Sequence, residues 1–344
     1  MLLLRLIAGV LISGIASMAI GDDNWRLLKT IATFEMARDS VHVLRFSPDG
    51  KTLAVTTHEG LVKLLDAGTL KESALRIKER LGVALSLAFS PDGKLLAACG
   101  FDFHPSGSTF GVVKVWDTDT GKLIKVLQAS NSGEFRSLAF SPDGQQLVAG
   151  DAKSFVTLWN ITSGARSWSV KTHDEVSYVS AILMSPDGKS VLAGHVNGNI
   201  MVLESKTGKP ERTLDGHLKN KNILKPDIRS LTILKDGTTL VSADGNGFVC
   251  LTHWGTRQLQ RSFRVTEGEL NDLCVSPDET WMAVSLFRNI RIINLVTGRK
   301  LGDLEGHIGQ LRTARIASHG VIASANNFDT RLWAPPTKPA TAGK

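Results

Sequence analysis

The sequence predicts an all-β fold, a seven-bladed β-propeller closed by an N-terminal strand that completes the last blade. Three observations predict it. Residues 86–93 and 137–144 are the same octapeptide, SLAFSPDG, with shorter echoes ending at Gly50 and Gly188. Aligned turn positions recur at Ser47, Ser90, Ser141, Ser185, Leu234, Ser276 and Ala317. Their spacing of 41–51 residues leaves room for four strands per copy, which is the period of a propeller blade.

Residues 1–21 are a different material from the rest. Arg5 precedes an apolar run from Leu6 to Ile20, small residues stand at Ser17, Ala19 and Gly21, and Asp22 begins the polar chain. This is a signal-peptide pattern; the rival is an uncleaved anchor, for which the run is short. The domain expected after it spans 22–333. Residues 26–34, RLLKTIATF, have the pattern of a fourth strand with no first three before it.

Within each copy the elements follow one order. Leu87 and Phe89 alternate with small residues as in a strand, and Ser-Pro-Asp-Gly then supplies a tight turn. Apolar runs such as LLAAC and QLVAG make the second strand. The third reads LVKLLD, VVKVWD, FVTLWN, NIMVLE, FVCLTH, NIRIIN and DTRLWA along the chain. Fourth strands follow in six copies, KESALRI first among them, and the seventh is the one predicted at 26–34. Two longer steps place insertions, one as a polar loop at 101–110 and one at 218–227. The tail 334–344, rich in proline, alanine and threonine, reads as disordered.

The Ser-Pro-Asp-Gly turn, strands ending in Trp116-Asp117 or Trp159-Asn160, a following Thr-Gly, and the Gly216-His217 and Gly306-His307 steps together resemble the WD-repeat family. The resemblance covers residues 25–333. It implies a ring of four-stranded blades used as a platform for binding proteins. It also implies a hydrogen-bonded Asp, His, Ser and Trp set in each blade. The Asp site, six residues before the Trp site, holds Glu59, Phe110, Lys153, Asn197, Asn246, Phe287 and Asn327. No copy keeps aspartate there, and only Trp116, Trp159 and Trp333 fill the Trp site. Apolar packing is therefore expected to hold the blades, in a divergent bacterial propeller.

Composition excludes several functions. The chain is 42% hydrophobic and 21% charged, with 32 glycines, as suits a globular protein of short strands. Its net charge of +7 is spread out, without the basic block of a nucleic-acid tail. Cys99, Cys250 and Cys274 have no metal or haem spacing and read as free core thiols. No phosphate loop, dinucleotide fingerprint or zinc helix is present, so no cofactor is expected. His58, His104, His173, His195, His217 and His307 fall in turns at one end of the ring, but on different blades, and no metal site is expected.

The strongest site signal is positional. Five residues before each turn start stand His42, Leu85, Arg136, Ser180, Arg229, Asn271 and Arg312, near the head of the innermost strand. Three arginines there would ring the channel mouth with positive charge. Lys219, Lys221 and Lys225 come to the same end on the second insertion, and Asp102 and His104 on the first. The expected function is a non-catalytic, exported, monomeric platform. It binds another protein, one with an acidic surface, and no nucleic acid. One alternative is a hydrolase using the mouth, with 101–110 as a lid and Asp102, His104, Ser106 and Ser108 as chemistry. Another is a structural module of an envelope assembly.

Overall fold

The computed structural model describes residues 25–32, 41–57, 59–73, 77, 80–129, 132–173, 177–215, 217, 226–307, 309–327 and 329–335. The leader and most of the tail fall outside these residues. So do His58, Lys219, Lys221 and Lys225.

Seven antiparallel sheets form the ring. Their first strands are β2 (Val41–Phe46), β5 (Val83–Phe89), β9 (Phe135–Phe140), β13 (Val179–Met184), β17 (Ile228–Ile233), β21 (Asp272–Val275) and β25 (Leu311–Ile316). Each lies against the next, and β25 returns to β2, which makes the arrangement circular. The last blade is closed as the sequence predicts. β1 (Arg26–Ala32) pairs with β27 (Asp329–Ala334), which continues outward from β26 (Ile322–Asn326) and β25. Closure covers the edge of β27 and makes β1 the outer strand of the blade.

The core lies in the seams between blades rather than inside any one sheet. Each of the seven seams holds one cluster of buried aliphatic and aromatic side chains. A four-stranded sheet is apolar on both faces when neighbours stack on each side, which is why the second strands are unbroken apolar runs. Burial of that surface, at about 25 cal/mol per Å², is the main stabilising term.

The repeated Ser-Pro-Asp-Gly has a specific hydrogen-bond pattern. In the second blade the Ser90 hydroxyl donates to Asp92 (2.6 Å) and accepts from Leu95 N (2.9 Å). Gly93 takes a positive φ of 75°. The same set recurs at Ser47, Ser141, Ser185 and Ser276. Glu279 occupies the glycine position of the sixth copy with φ 56°. The Thr-Gly after the third strand has a similar origin. Asp117 Oδ1 accepts from Thr120 N (2.7 Å) and from its hydroxyl (2.7 Å).

Three expectations need correction. The segment 101–110 is no loop. β6 (Leu95–Phe103) and β7 (Thr109–Asp117) continue as a paired ladder to Phe103–Thr109, leaving only a short turn at the tip. The outer strand expected from KESALRI is reduced, among the described residues, to a single bridge between Leu65 and Glu72. Ile77 from that segment is drawn into the seam between the first two blades instead.

The third correction concerns the polar network, which is present in two blades with its acid displaced. In the last blade Trp333 Nε1 donates to Ser324 Oγ (2.8 Å), Ser324 contacts His307 Nε2 (2.7 Å), and His307 Nδ1 bonds Asp329. In the fifth, His217 bonds Asp244 (2.9 Å) and Ser242 (2.8 Å). Asp329 stands two residues after the expected site and Asp244 two before it. The turn that presents each acid differs in length, so a fixed offset misses both. In the two other blades that keep the tryptophan, alanine fills the serine site. Ala98 and Ala149 occupy it beside Trp116 and Trp159, and Trp116 Nε1 has no partner. Packing holds those blades, as expected.

Candidate functional site

Each first strand enters the ring from the same end, and near that point six of the seven carry one extra residue. In β2 the register passes from Val41–Thr57 to Val43–Thr56, which makes His42 the bulge residue. Leu85, Arg136, Ser180, Arg229 and Arg312 are the bulge residues of five other blades. A bulge breaks the alternation of the strand and re-aims its side chain. These residues and Asn271 line a central cavity of about 570 Å³ at this end.

The polar residues at this position divide into two kinds. Short polar ones stitch the ring. Ser180 Oγ donates to Ile228 O of the next blade (2.6 Å), Asn271 Nδ2 to Leu311 O (2.9 Å), and His42 Nδ1 lies 3.3 Å from Ala84 O. The arginines anchor on their own blades. Arg136 pairs with Glu134 (3.1 Å) and stacks over Tyr178 at 4.6 Å. Arg229 pairs with Asp227 (2.6 Å), and Arg312 Nε donates to Asn327 (2.8 Å). The mouth is therefore less positive than a ring of bare arginines. Burial still pushes the Asp227 carboxyl above its ordinary value, with Arg229 opposing.

Deeper in the channel lies a charge cluster that sequence reasoning missed. Asp272 of the sixth blade accepts from Arg315 and from the Thr313 hydroxyl (3.0 Å) of the seventh. Arg45 of the first blade faces the same cavity. The only signal in the sequence was two arginines at one repeat position, Arg45 and Arg315, each two residues before its turn.

The insertion does not bring a triad together. His104 Nδ1 meets Ser106 Oγ at 2.9 Å and Ser106 meets Ser108 at 3.1 Å, all exposed in the tip turn. Asp102 turns away to Lys114 (3.1 Å) and the Gly82 amide. His217 and His307 belong to the blade networks, and His195 is buried with Nδ1 on Ser177 O (3.0 Å). Among the described residues no group of three or more metal-ligating side chains converges. Phe103, Tyr178 and Phe287 are exposed at the mouth end of the ring.

The chain is 25% identical over 240 residues to the transcription factor unc-37 of Caenorhabditis elegans, covering 66% of this chain and 37% of that protein. It is 31% identical over 122 residues to WD repeat-containing protein 82 of Drosophila melanogaster, 35% of each. Over 328 residues it is 21% identical to eukaryotic translation initiation factor 3 subunit I of Candida albicans, 86% of this chain and 84% of that one. The chain thus spans less than half the length of the first two. All three relatives are eukaryotic, and they lend no support to a bacterial origin. The WD domain, G-beta repeat model matches residues 28–66, and the model described as outer membrane protein assembly factor BamB matches residues 58–285, well over half of the chain. By the extent of that second match the chain belongs to the family so described, and its ring is a seven-bladed β-propeller of WD40-type repeats.

Proposed function

We propose that the chain is a non-catalytic protein-interaction platform, acting outside the cytoplasm, that receives an acidic protein partner at the channel mouth. The observation that carries this is the mouth itself. Three bulge arginines point there while hydroxyl groups keep the blades stitched, and exposed Phe103, Tyr178 and Phe287 stand at the same end. Arginine and aromatic side chains are the usual anchors of protein interfaces. An arginine fork grips carboxylates, and partner carboxylates would compete with Glu134 and Asp227 for it. Export rests on the leader pattern of residues 1–21.

A second reading, a module of an envelope assembly, draws on the match to a family described as an outer membrane protein assembly factor. Mass spectrometry of the mature N-terminus separates a tethered module from a free one. The main test is crosslinking capture from the native envelope fraction. The chain with Arg136, Arg229 and Arg312 all changed to glutamine is compared with the parent. Partner recovery falls and its salt dependence flattens if the mouth is the interface. Unchanged recovery with the fold intact places the partner elsewhere.

A further inference from the structure

The channel cluster has an unequal charge count. Arg45, Arg315 and Asp272 come from three consecutive blades, the first, seventh and sixth, and all line the central cavity. The repeat position of Arg45 and Arg315 holds Ala88, Ala139, Leu183, Thr232 and Cys274 in the other blades, and Asp272 stands two residues before Cys274, so the charges at this depth are concentrated in one sector.

Asp272 is already satisfied. Oδ2 takes Arg315 and the Thr313 hydroxyl, and Oδ1 takes its neighbour's amide, Leu273 N, at 2.9 Å. Arg45 has only a 3.2 Å bond from Nη1 to Leu44 O, and no ion pair among the described residues. Burial lowers its affinity for the proton, with the Asp272 charge opposing. A guanidinium enclosed without its own counter-ion is costly, and an anion that reaches it recovers part of that cost. The lumen of about 570 Å³ has room for such an anion with its waters.

We propose that the channel holds a binding site for a small oxyanion, a phosphate or a carboxylate, centred on Arg45 below the mouth. Arg45 supplies the fork and the charge, and Ser86 of the adjacent blade lines the same space. The Arg315–Asp272 pair lies beside it in the same sector of the wall. The oxyanion is either a free ion or a side-chain carboxylate reaching down from a bound partner. The site does not rest on the mouth being the interface, because no mouth arginine takes part in it.

The test uses the full chain in thermal unfolding and calorimetry. Inorganic phosphate, citrate and a short peptide with one glutamate are each titrated against chloride at matched ionic strength. A saturable rise in Tm of several degrees is expected from at least one probe. Response to the free ions assigns a free ligand, and response to the peptide alone assigns a partner's carboxylate. Arg45→Met should lose the response yet melt at or above the parent without anion, since the Asp272 pair remains. The variant with Arg136, Arg229 and Arg312 changed to glutamine should keep the response, which separates failure here from failure of the interface reading. If Arg45→Met does not fold, Arg45→Lys replaces it, with binding weakened about tenfold by loss of the fork. No saturable response in the parent overturns the proposal. So does a response that survives Arg45→Met, or equal affinity in Arg45→Lys.

Discussion

Removing residues 22–34 tests the closure of the ring. The deletion takes away β1, whose six register partners run from Ala334 to Asp329 along β27. Ladder hydrogen bonds contribute about 1 kcal/mol each, net of solvent. The ring of Trp25, edge-on to Trp281 with centroids 5.1 Å apart, adds about 1 kcal/mol beyond its burial. Ordering the segment offsets most or all of this, at about 1 kcal/mol or more per residue. Leu27 and Leu28 return little, since both stay more than 40% exposed. The net gain therefore rests on the apolar contact of Trp25 with the seam cluster and on the covered edge of β27, a fraction of a typical total stability of about 5–15 kcal/mol.

The deletion also leaves β27 as a bare edge, which invites pairing with other chains. Truncated protein is expected to lose its single cooperative transition, or to melt several degrees lower, and to aggregate. Thermal unfolding by circular dichroism, with light scattering alongside, reads both. Trp25→Ala alone should give a smaller fall, because it keeps the ladder. A truncated chain that melts like the parent, and stays monodisperse, refutes the clasp.

Three further outcomes are expected. The two histidine networks should respond to pH in opposite directions. Burial pulls His217 down, but Asp244 and Cys250 together outweigh it and the pKa is raised to about 9, so its contribution is complete below the ordinary 6.5 and lost as pH rises through about 9. Burial lowers His307, whose partner Asp329 is shared with Arg331 at 2.7 Å, so its contribution is lost as pH falls below 6.5; histidine NMR titration of the folded protein checks both signs. In the serine turns, hydroxyl groups hold Asp49, Asp92, Asp143, Asp187 and Asp278 below the ordinary 3.8, so acid unfolding should set in as pH falls past that value, and Ser90→Ala should cost about 1 kcal/mol in urea melts. Thiol titration after denaturation without reductant should count three thiols, because Cys99, Cys250 and Cys274 are all free; a count of one would mean a disulfide.

The parts of the fold that repeat were legible, because repetition exposes the turn. Five Ser-Asp pairs and the closing strand at residue 26 follow from spacing and from the strand count alone. The misses lie where a copy departs from the average. Leu70 and Arg257 take the left-handed turn position that glycine holds in other copies, with φ of 53° and 61°, so a search for glycine passes over them. Asp244 and Asp329 were hidden by turns of unequal length. The channel position was legible as a register and not as a charge. The arginines stand at one repeat position, but nothing in the repeat marks Glu134 and Asp227, each two residues upstream, as their partners. Strand alternation also puts Arg45 and Arg136 on opposite faces, and only the bulge between those positions brings both to the lumen.

That bulge explains how the ring can spare its arginines. Where His42, Ser180 and Asn271 occupy the position, in the first, fourth and sixth blades, the side chain itself ties one blade to the next. Where arginine occupies it, the following residue takes over. Ser137 Oγ accepts from Ile182 N of the next blade (3.0 Å), and Ser230 Oγ donates to Leu273 O (2.9 Å). Thr313 bonds back to Asp272 at 3.0 Å. The third, fifth and seventh blades thus keep their seams closed with a short hydroxyl and release the bulge for a long cation. Loss of an arginine there removes a local pair worth at most about 1 kcal/mol, because both partners are part-exposed. Loss of the hydroxyl beside it leaves a seam group without its partner, which costs about 1–3 kcal/mol. The two kinds of position therefore separate by experiment. Ser137→Ala should lower stability, and Arg136→Gln should leave it nearly unchanged.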